Sequence, residues 1–360
     1  MTYIGSENII SPLGDSAREN FIKVKNNETG ISLFSGIGVD KEDLYLSKIG
    51  TLSDNNKFDV LLAKCLDSII KESSDNIINS KDTIVILSTT KADIQENLTA
   101  PIQSSVEKIK VAYKLHHTPL VISNACISGV LAMNTANNFI QSNIYKHAFV
   151  IGADVISDFV LFGFQSLYAI SNEVCQPFDK ERKGISLGEG AAGVLMSSES
   201  SVFKKEALEF VEGTSSNDAN HISGPSRTGE GLYRTVQKTM ELANIKSSEI
   251  DFISAHGTGT LFNDEMESIA FDRLNMNNIP LNSLKGYFGH TLGAAGLIET
   301  AISMQSIRTN TLVKSLGFEA EGTSGGINIL TQNLEKEVST ILKTASGFGG
   351  CNASAIIRNI

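Results

Sequence analysis

One cysteine and two histidines stand where side chains are presented rather than packed. Cys126 lies in Ser123-Asn124-Ala125-Cys126-Ile127-Ser128-Gly129-Val130, where an apolar run stops and a helical pattern begins. The run Pro119 to Ile122 reads as a short buried strand, and Val130, Leu131, Met133, Ala136 and Ile140 have helical spacing. A helix start carries unsatisfied N–H groups and about half a positive charge, which favours a thiolate. Read alone, Cys126 fits two descriptions: a nucleophile at a strand-to-helix elbow, or a small buried hydrophobe that precedes a helix.

Two histidine segments shift the balance toward chemistry. In Ile253-Ser254-Ala255-His256-Gly257-Thr258-Gly259-Thr260, the apolar stretch Ile250 to Ala255 reads as a buried strand ending at His256. The small residues after it let a ligand and the backbone approach closely. In Lys285-Gly286-Tyr287-Phe288-Gly289-His290-Thr291-Leu292-Gly293-Ala294-Ala295-Gly296, His290 precedes a helical pattern through Leu297, Ile298, Ala301 and Met304. Two of the six histidines thus sit in glycine-rich turns.

The elements that must position these residues alternate. Strand-like apolar runs occur at Thr83 to Leu87, Leu120 to Ser123, Ala148 to Ile151 and Ala192 to Met196, with helical patterns such as Phe58 to Ile70 and Val130 to Ile140 between some of them. The scheme repeats with Ile250 to Ala255, Val338 to Ala345 and Ala353 to Ile357. Such alternation predicts α/β layers. Gly188 to Val194 and Gly347 to Ser354 echo each other as glycine-rich turns feeding an apolar strand. The expected division is a front half over residues 1–200 and a back half over 201–360, joined near Ser197 to Lys205 without a low-complexity linker.

The ordered set Pro12-Leu13-Gly14, Asn124 to Gly129, Pro177-Phe178-Asp179, Gly188-Glu189-Gly190-Ala191, His256 to Thr260, Lys285 to Gly296 and Gly347-Phe348-Gly349-Gly350 resembles the β-ketoacyl-acyl-carrier-protein synthases of the elongating, Cys-His-His kind. The resemblance spans nearly the whole chain, and Lys285 to Gly296 is its most specific part. It implies a thiolase-like, internally duplicated five-layer α-β-α-β-α fold. It also implies a decarboxylating Claisen condensation between an acyl chain on Cys126 and malonyl-acyl carrier protein, in fatty-acid, polyketide or polyene-type biosynthesis. His256 and His290 would donate to the enolate oxygen. The backbone N–H groups of Cys126 and Phe348 would hold the tetrahedral oxyanion, with the Phe348 ring as a gate. Lys285 would be the family's buried lysine in need of an acidic partner, and Glu267 occupies the matching acidic position. Thr258 and Thr260 would bond a pantetheine arm, while Asp179, Glu189 and Asp264 read as structural ties. Two other readings stay open: a chain-length-factor-like partner without catalysis, and an acyltransferase that does not condense.

Bulk properties set limits. A formal charge of −10 in 360 residues argues against nucleic acid or an anionic membrane as the main partner. An acidic carrier protein would need a local basic patch, for which Lys57, Lys64, Lys180, Arg182 and Lys183 are candidates. Cys65, Cys126, Cys175 and Cys351 lie far apart, with no spacing that suggests a metal. No apolar run approaches the ~20 residues of a membrane span. The first residues lack the basic-then-apolar order of a signal peptide, so a cytoplasmic location is expected. The resemblance implies no metal and no cofactor, the phosphopantetheine arm being part of the substrate, and pairing as a homodimer or with a related subunit. Departures from the family pattern fall at the short region between Thr90 and Val121, at Ile185 and Ser186, and at Ser346, where elongating members commonly carry Phe. The last should open space beside the gate.

Overall fold

Alternation of apolar side chains on two faces organises the molecule. In the strand His147–Asp154, Ala148 and Val150 join one core while Phe149, Ile151 and Ala153 join another. A strand covered on both faces reads as a continuous apolar run, as here. The computed structural model describes residues 1–53, 55–218 and 224–360.

The first half runs β1 (Thr2–Ile10), α1 (Lys57–Lys71), β2 (Thr83–Ser88), α2 (Pro101–Ala112), β3 (Leu120–Ile122), α3 (Ser128–Gln141), β4 (His147–Asp154) and β5 (Gly190–Ser197). The second half repeats it with β6 (Leu208–Asn217), α4 (Glu230–Ala243), β7 (Phe252–Ser254), α5 (Leu261–Arg273), β8 (Pro280–Asn282), α6 (Ala295–Thr309), β9 (Thr340–Gly347) and β10 (Cys351–Arg358). Spatial order in the first half is β1-β5-β4-β2-β3, and in the second β6-β10-β9-β7-β8, with a short edge strand Asn328–Ile329 beyond β8. Every pairing direction corresponds: β4 with β5 and β9 with β10 are antiparallel, while β2 with β4 and β7 with β9 are parallel. Strands β1 and β6 pair antiparallel, Thr2 opposite Phe210, and join the two sets at their edges. The expected duplication is therefore present, and the echoing segments Gly188 to Val194 and Gly347 to Ser354 lead into the equivalent strands β5 and β10.

Among the described residues, three of the four apolar cores lie between the five layers. Phe58, Leu61 and Leu62 of α1 and Val106 and Ile109 of α2 cover the outer face of the first sheet. Leu232 and Val236 of α4 with Met266 and Phe271 of α5 cover the outer face of the second. Between the sheets lie Val130, Met133 and Ala136 of α3 with Leu297, Ile298 and Ala301 of α6. Helices α3 and α6 are thus the central layer. Strand β3 departs from its reading as a buried strand: it is the sheet's edge, and its three residues are only half-buried.

Candidate active site

Helices α3 and α6 begin beside one another, and their approach depends on two glycines. A Cβ on Gly129 would lie 3.0 Å from the backbone nitrogen of Leu297, and one on Gly296 would lie 2.9 Å from that of Val130. Cys126 is delivered just before α3 by a sharp turn in which Ala125 adopts φ +46°. Ser128 holds this turn: its hydroxyl accepts from Asn124 N at 2.7 Å and donates to Ala125 O at 2.7 Å. Such a left-handed non-glycine residue stores backbone strain, which concentrates at functional turns.

His290 reaches the same point from the second half. Its backbone N–H donates to Ser186 O at 2.7 Å, and its carbonyl accepts from Gly188 N at 3.0 Å, so a first-half segment clamps it. Gly188 can do this because it has no side chain; a Cβ there would lie 2.1 Å from Phe288 O. The turn after His290 is tied down by Asp154 at the end of β4, whose carboxylate accepts from Gly293 N at 2.7 Å and from Thr90 N at 3.0 Å.

The reacting atoms converge. His290 Nε2 lies 2.9 Å from Cys126 Sγ, and the His256 and His290 rings meet edge to face with centroids 5.2 Å apart. Both rings are almost fully buried. Leu292 N–H donates to His290 Nδ1 at 3.3 Å. The Lys285 ammonium, a donor only, lies 3.2 Å from His256 Nδ1. Each Nδ1 therefore accepts, and each Nε2 keeps the proton and points it at the cavity. Sulfur and imidazole nitrogens lie within 4.8 Å of one another, a spacing that could hold a metal ion. The tautomers oppose it, because metal ligation needs the Nε2 lone pairs that these protons occupy. The set fits hydrogen-bond donation to an anion.

Electrostatics set the protonation states. Burial and then the Lys285 charge hold His256 well below the ordinary histidine range, and the same two influences act on His290. Burial pushes the Cys126 thiol up to about 12, with Lys285 pulling the other way. The expectation that the helix start would favour a thiolate is not met: burial of the thiol is the leading influence and favours the neutral form.

A second correction concerns the acidic partner of Lys285. Its Nζ lies 2.5 Å from Glu299 Oε1 and donates to His256 O at 2.8 Å. Glu267 instead accepts from His256 N at 2.8 Å and Gly257 N at 2.6 Å. It shapes the strand end that carries His256 and does not reach the reacting atoms. Glu299 is the residue that sequence reasoning missed, although a charge inside the apolar helix Ala295–Thr309 was the available signal. Asp264 accepts from Thr258 N and Gly259 N at 2.8 and 3.0 Å and fixes the same loop. Asp179 accepts from Glu319 N and Ala320 N, and Glu189 from Ile49 N.

Cys126, His256 and His290 open onto a cavity of ≈ 580 Å³ that Thr258, Thr260, Ser346 and Phe348 also line. The two threonine hydroxyls bond each other at 2.8 Å. A Cβ on Gly347 would lie 3.1 Å from Cys126 N, which places the turn carrying Phe348 against the Cys126 backbone. The Phe348 ring is 36% exposed and stacks on Phe164, centroids 5.3 Å apart. Among the docking candidates, Lys57 and Arg182 are buried and cannot meet a partner. Lys57 pairs with Glu189 at 2.9 Å, and Arg182 donates to Asp179 O and Gly322 O. Lys64, Lys180 and Lys183 are exposed.

Comparison with known proteins agrees with this geometry. The family model "Beta-ketoacyl synthase, N-terminal domain" matches residues 67–201, and "Beta-ketoacyl synthase, C-terminal domain" matches 209–319. The 3-oxoacyl-[acyl-carrier-protein] synthase 2 of Rhizobium meliloti is 31% identical over 70% of this chain and 63% of its own length. A putative mitochondrial 3-oxoacyl-[acyl-carrier-protein] synthase of Schizosaccharomyces pombe is 31% identical over 68% of this chain and 61% of its own. The match thus spans somewhat over three fifths of these relatives. Among solved structures, a ketosynthase from Xenorhabdus doucetiae, determined with its chain length factor, superposes with a TM-score of 0.90 at 24% identity, covering 100% of this chain and 98% of that one. It shares the fold. With both halves matched in order and the Cys-His-His group assembled between them, the chain belongs to the β-ketoacyl synthase family.

Proposed function

We propose that the protein catalyses a decarboxylating condensation of an acyl chain with malonyl-acyl carrier protein. The observation that carries this reading is the convergence of two imidazoles on Cys126 Sγ, His290 Nε2 at 2.9 Å and a His256 ring nitrogen within 4.8 Å. In the first step Cys126 sulfur forms a thioester bond to the acyl carbon, the carrier's C–S bond breaks, and the thiol proton leaves with the departing sulfur. In the second, the bond between the malonyl methylene and its carboxylate breaks. Carbon dioxide departs, and the electron pair forms an enolate whose oxygen accepts from His256 and His290. The carbanion then attacks the acyl carbon. The Cys126 and Phe348 N–H groups receive the oxyanion, and the expelled sulfur takes up a proton to restore the thiol.

Thr258 and Thr260 line the approach, where their hydroxyls suit the amides of a pantetheine arm. That arm is part of the substrate; the chemistry calls for no further cofactor and no metal. Lys180 and Lys183 suit an acidic carrier. Exposed Phe159 and Tyr168 support pairing with a second copy or a related subunit. Four buried free thiols suit a reducing cytoplasm. Among the described residues no helix is long and apolar enough to cross a membrane.

Intact mass after incubation with an acyl carrier thioester, followed by malonyl carrier, tests the reading. An adduct on Cys126 and then released carbon dioxide are expected. An adduct without gas would make the protein an acyltransferase, and neither would make it a silent partner of the chain-length-factor kind.

A further inference from the structure

Two lysines lie fully buried behind His256, and Lys285 is the one that meets its Nδ1. The other, Lys343, interrupts the apolar strand β9. Its Nζ lies 2.6 Å from Glu299 Oε2 and donates to Ser254 O at 3.1 Å and Ala255 O at 3.2 Å. Those carbonyls belong to the two residues leading into His256. An ammonium has three donors; Lys285 places all three in hydrogen bonds, whereas Lys343 donates two to carbonyls and holds Glu299 Oε2 as an ion pair. Lys285 meets Glu299 Oε1, His256 O and His256 Nδ1. Lys343 meets Glu299 Oε2 and the two carbonyls.

Burying a second ammonium is costly, so its retention needs a reason. A carboxylate gripped at both oxygens cannot rotate away from Lys285, and the third Lys285 donor then stays on His256 Nδ1. We propose that Lys343 is a positioning residue for the decarboxylation step: by holding the second oxygen of Glu299 and the backbone before His256, it keeps Lys285 against Nδ1 and the His256 proton on Nε2, facing the cavity. The inference rests on the condensation reading.

The charged and titratable groups around His256 are Lys285, Lys343 and Glu299 behind it, Glu267 under its backbone, and His290 and Cys126 across the cavity. Lys285 and Lys343 share the Glu299 carboxylate, and burial pushes Glu267, the other acidic group beside His256, up to about 7. Lys343 is also among the groups that push the His256 pKa down.

The test uses the full chain with Lys343→Met, which keeps the length of the side chain and removes its charge and donors. Imidazole nitrogen NMR reads the His256 tautomer, intact mass reads the Cys126 adduct, and gas release reads decarboxylation. Expected are a wild-type His256 wholly in the Nε2–H form, a tautomer mixture in the variant, decarboxylation lower by on the order of tenfold, and adduct formation at the wild-type rate. Adding Lys343→Met to Glu299→Gln should cost little beyond Glu299→Gln alone, because both act through one carboxylate. If Lys343→Met does not fold, Lys343→Gln, which keeps two donors without the charge, decides in the same way. A folded variant with lowered thermal stability but unchanged tautomer and unchanged gas release would reduce Lys343 to packing and overturn the proposal. Failure of the wild type to release carbon dioxide would instead overturn the condensation reading, and the tautomer result would stand apart from it.

Discussion

The two halves share one topology and divide the chemistry. In the first, the central helix α3 begins from a turn that delivers a thiol, Cys126 following Ala125 at φ +46°. In the second, α6 begins after a turn that delivers an imidazole, with Leu292 at φ +52° two residues beyond His290. Because the duplicated fold sets these equivalent helix starts side by side, sulfur and ring become neighbours. What lies behind them differs. Buried ion pairs of the first half, Lys57 with Glu189 and Lys91 with Asp154, tie loops to the sheet. Those of the second, Lys285 and Lys343 on Glu299, sit against His256. On the condensation reading, one half supplies a desolvated thiol, and the other sets two lysines behind the ring that would face an enolate. Both meet in one cavity, where Lys285 also acts on Cys126, and duplication brings them to it from two sides.

The sharpest way to break this division is to remove one group from each side. Cys126→Ala should abolish the acyl adduct and condensation while malonyl decarboxylation remains measurable. His256→Ala should lower decarboxylation by ~10²–10³-fold, the usual loss for one preorganised donor, while the adduct still forms. His256 is the cleaner choice, because His290 also touches the thiol. Equal loss of both half-reactions in both variants would show that the halves do not act separately.

Acid stability sharpens the comparison. Burial and Lys285 hold both imidazoles well below the ordinary range, so below about pH 6.5 the unfolded chain takes up protons that the folded one refuses. The unfolded state then binds more protons, so stability rises with pH across that window and is lost as pH falls. Each histidine adds ~1.4 kcal/mol per pH unit to the slope. Urea unfolding across the window should show that slope reduced by about this amount in His256→Ala and again in His290→Ala. Cys126→Ser should leave it unchanged, since the thiol, pushed up to about 12, does not titrate there. A slope that ignores both histidine variants would mean that the rings are already accessible to protons in the folded state.

Much of this was legible in the residues. Periodicity located β2, β4, β5, β9, β10, α1 and α3 to within a few positions, because strands covered on both faces leave long apolar runs. The motif order put Cys126, His256 and His290 in one site. Pairing across the chain was not legible. Which carboxylate meets Lys285 depends on how α6 and β9 lie against β7, so Glu267 was read from its matching position and Glu299 was not singled out. Lys343 was passed over for the same reason: a charge in a strand looks like an exposed position until both sheet faces are seen to be covered. Lys57 and Arg182 looked like docking residues because burial of a lysine or arginine cannot be read from its neighbours alone.

The equivalent connections between the last two strands of each half differ widely in length, and they meet at the cavity. Residues 348–350 join β9 to β10, whereas residues 155–189 join β4 to β5 and carry the helix Asp158–Ser166. The long connection lays Phe164 on Phe348, the rings 26° from parallel. Phe348 O accepts from Cys351 Sγ at 3.3 Å and Gly349 O from Asn217 Nδ2 at 2.8 Å, which ties down the backbone of the turn, while the ring rests on Phe164. On the condensation reading, the stack lets a ring of the first half bear on a turn that belongs to the second. A double-mutant cycle of Phe164→Ala and Phe348→Ala should give a coupling of about 0.5–1.5 kcal/mol, the usual value of an aromatic pair beyond area burial. The same pair should be coupled in the rate of Cys126 acylation. Additive losses in both measurements would mean that the rings are neighbours without being partners, and that the short turn sets its own position.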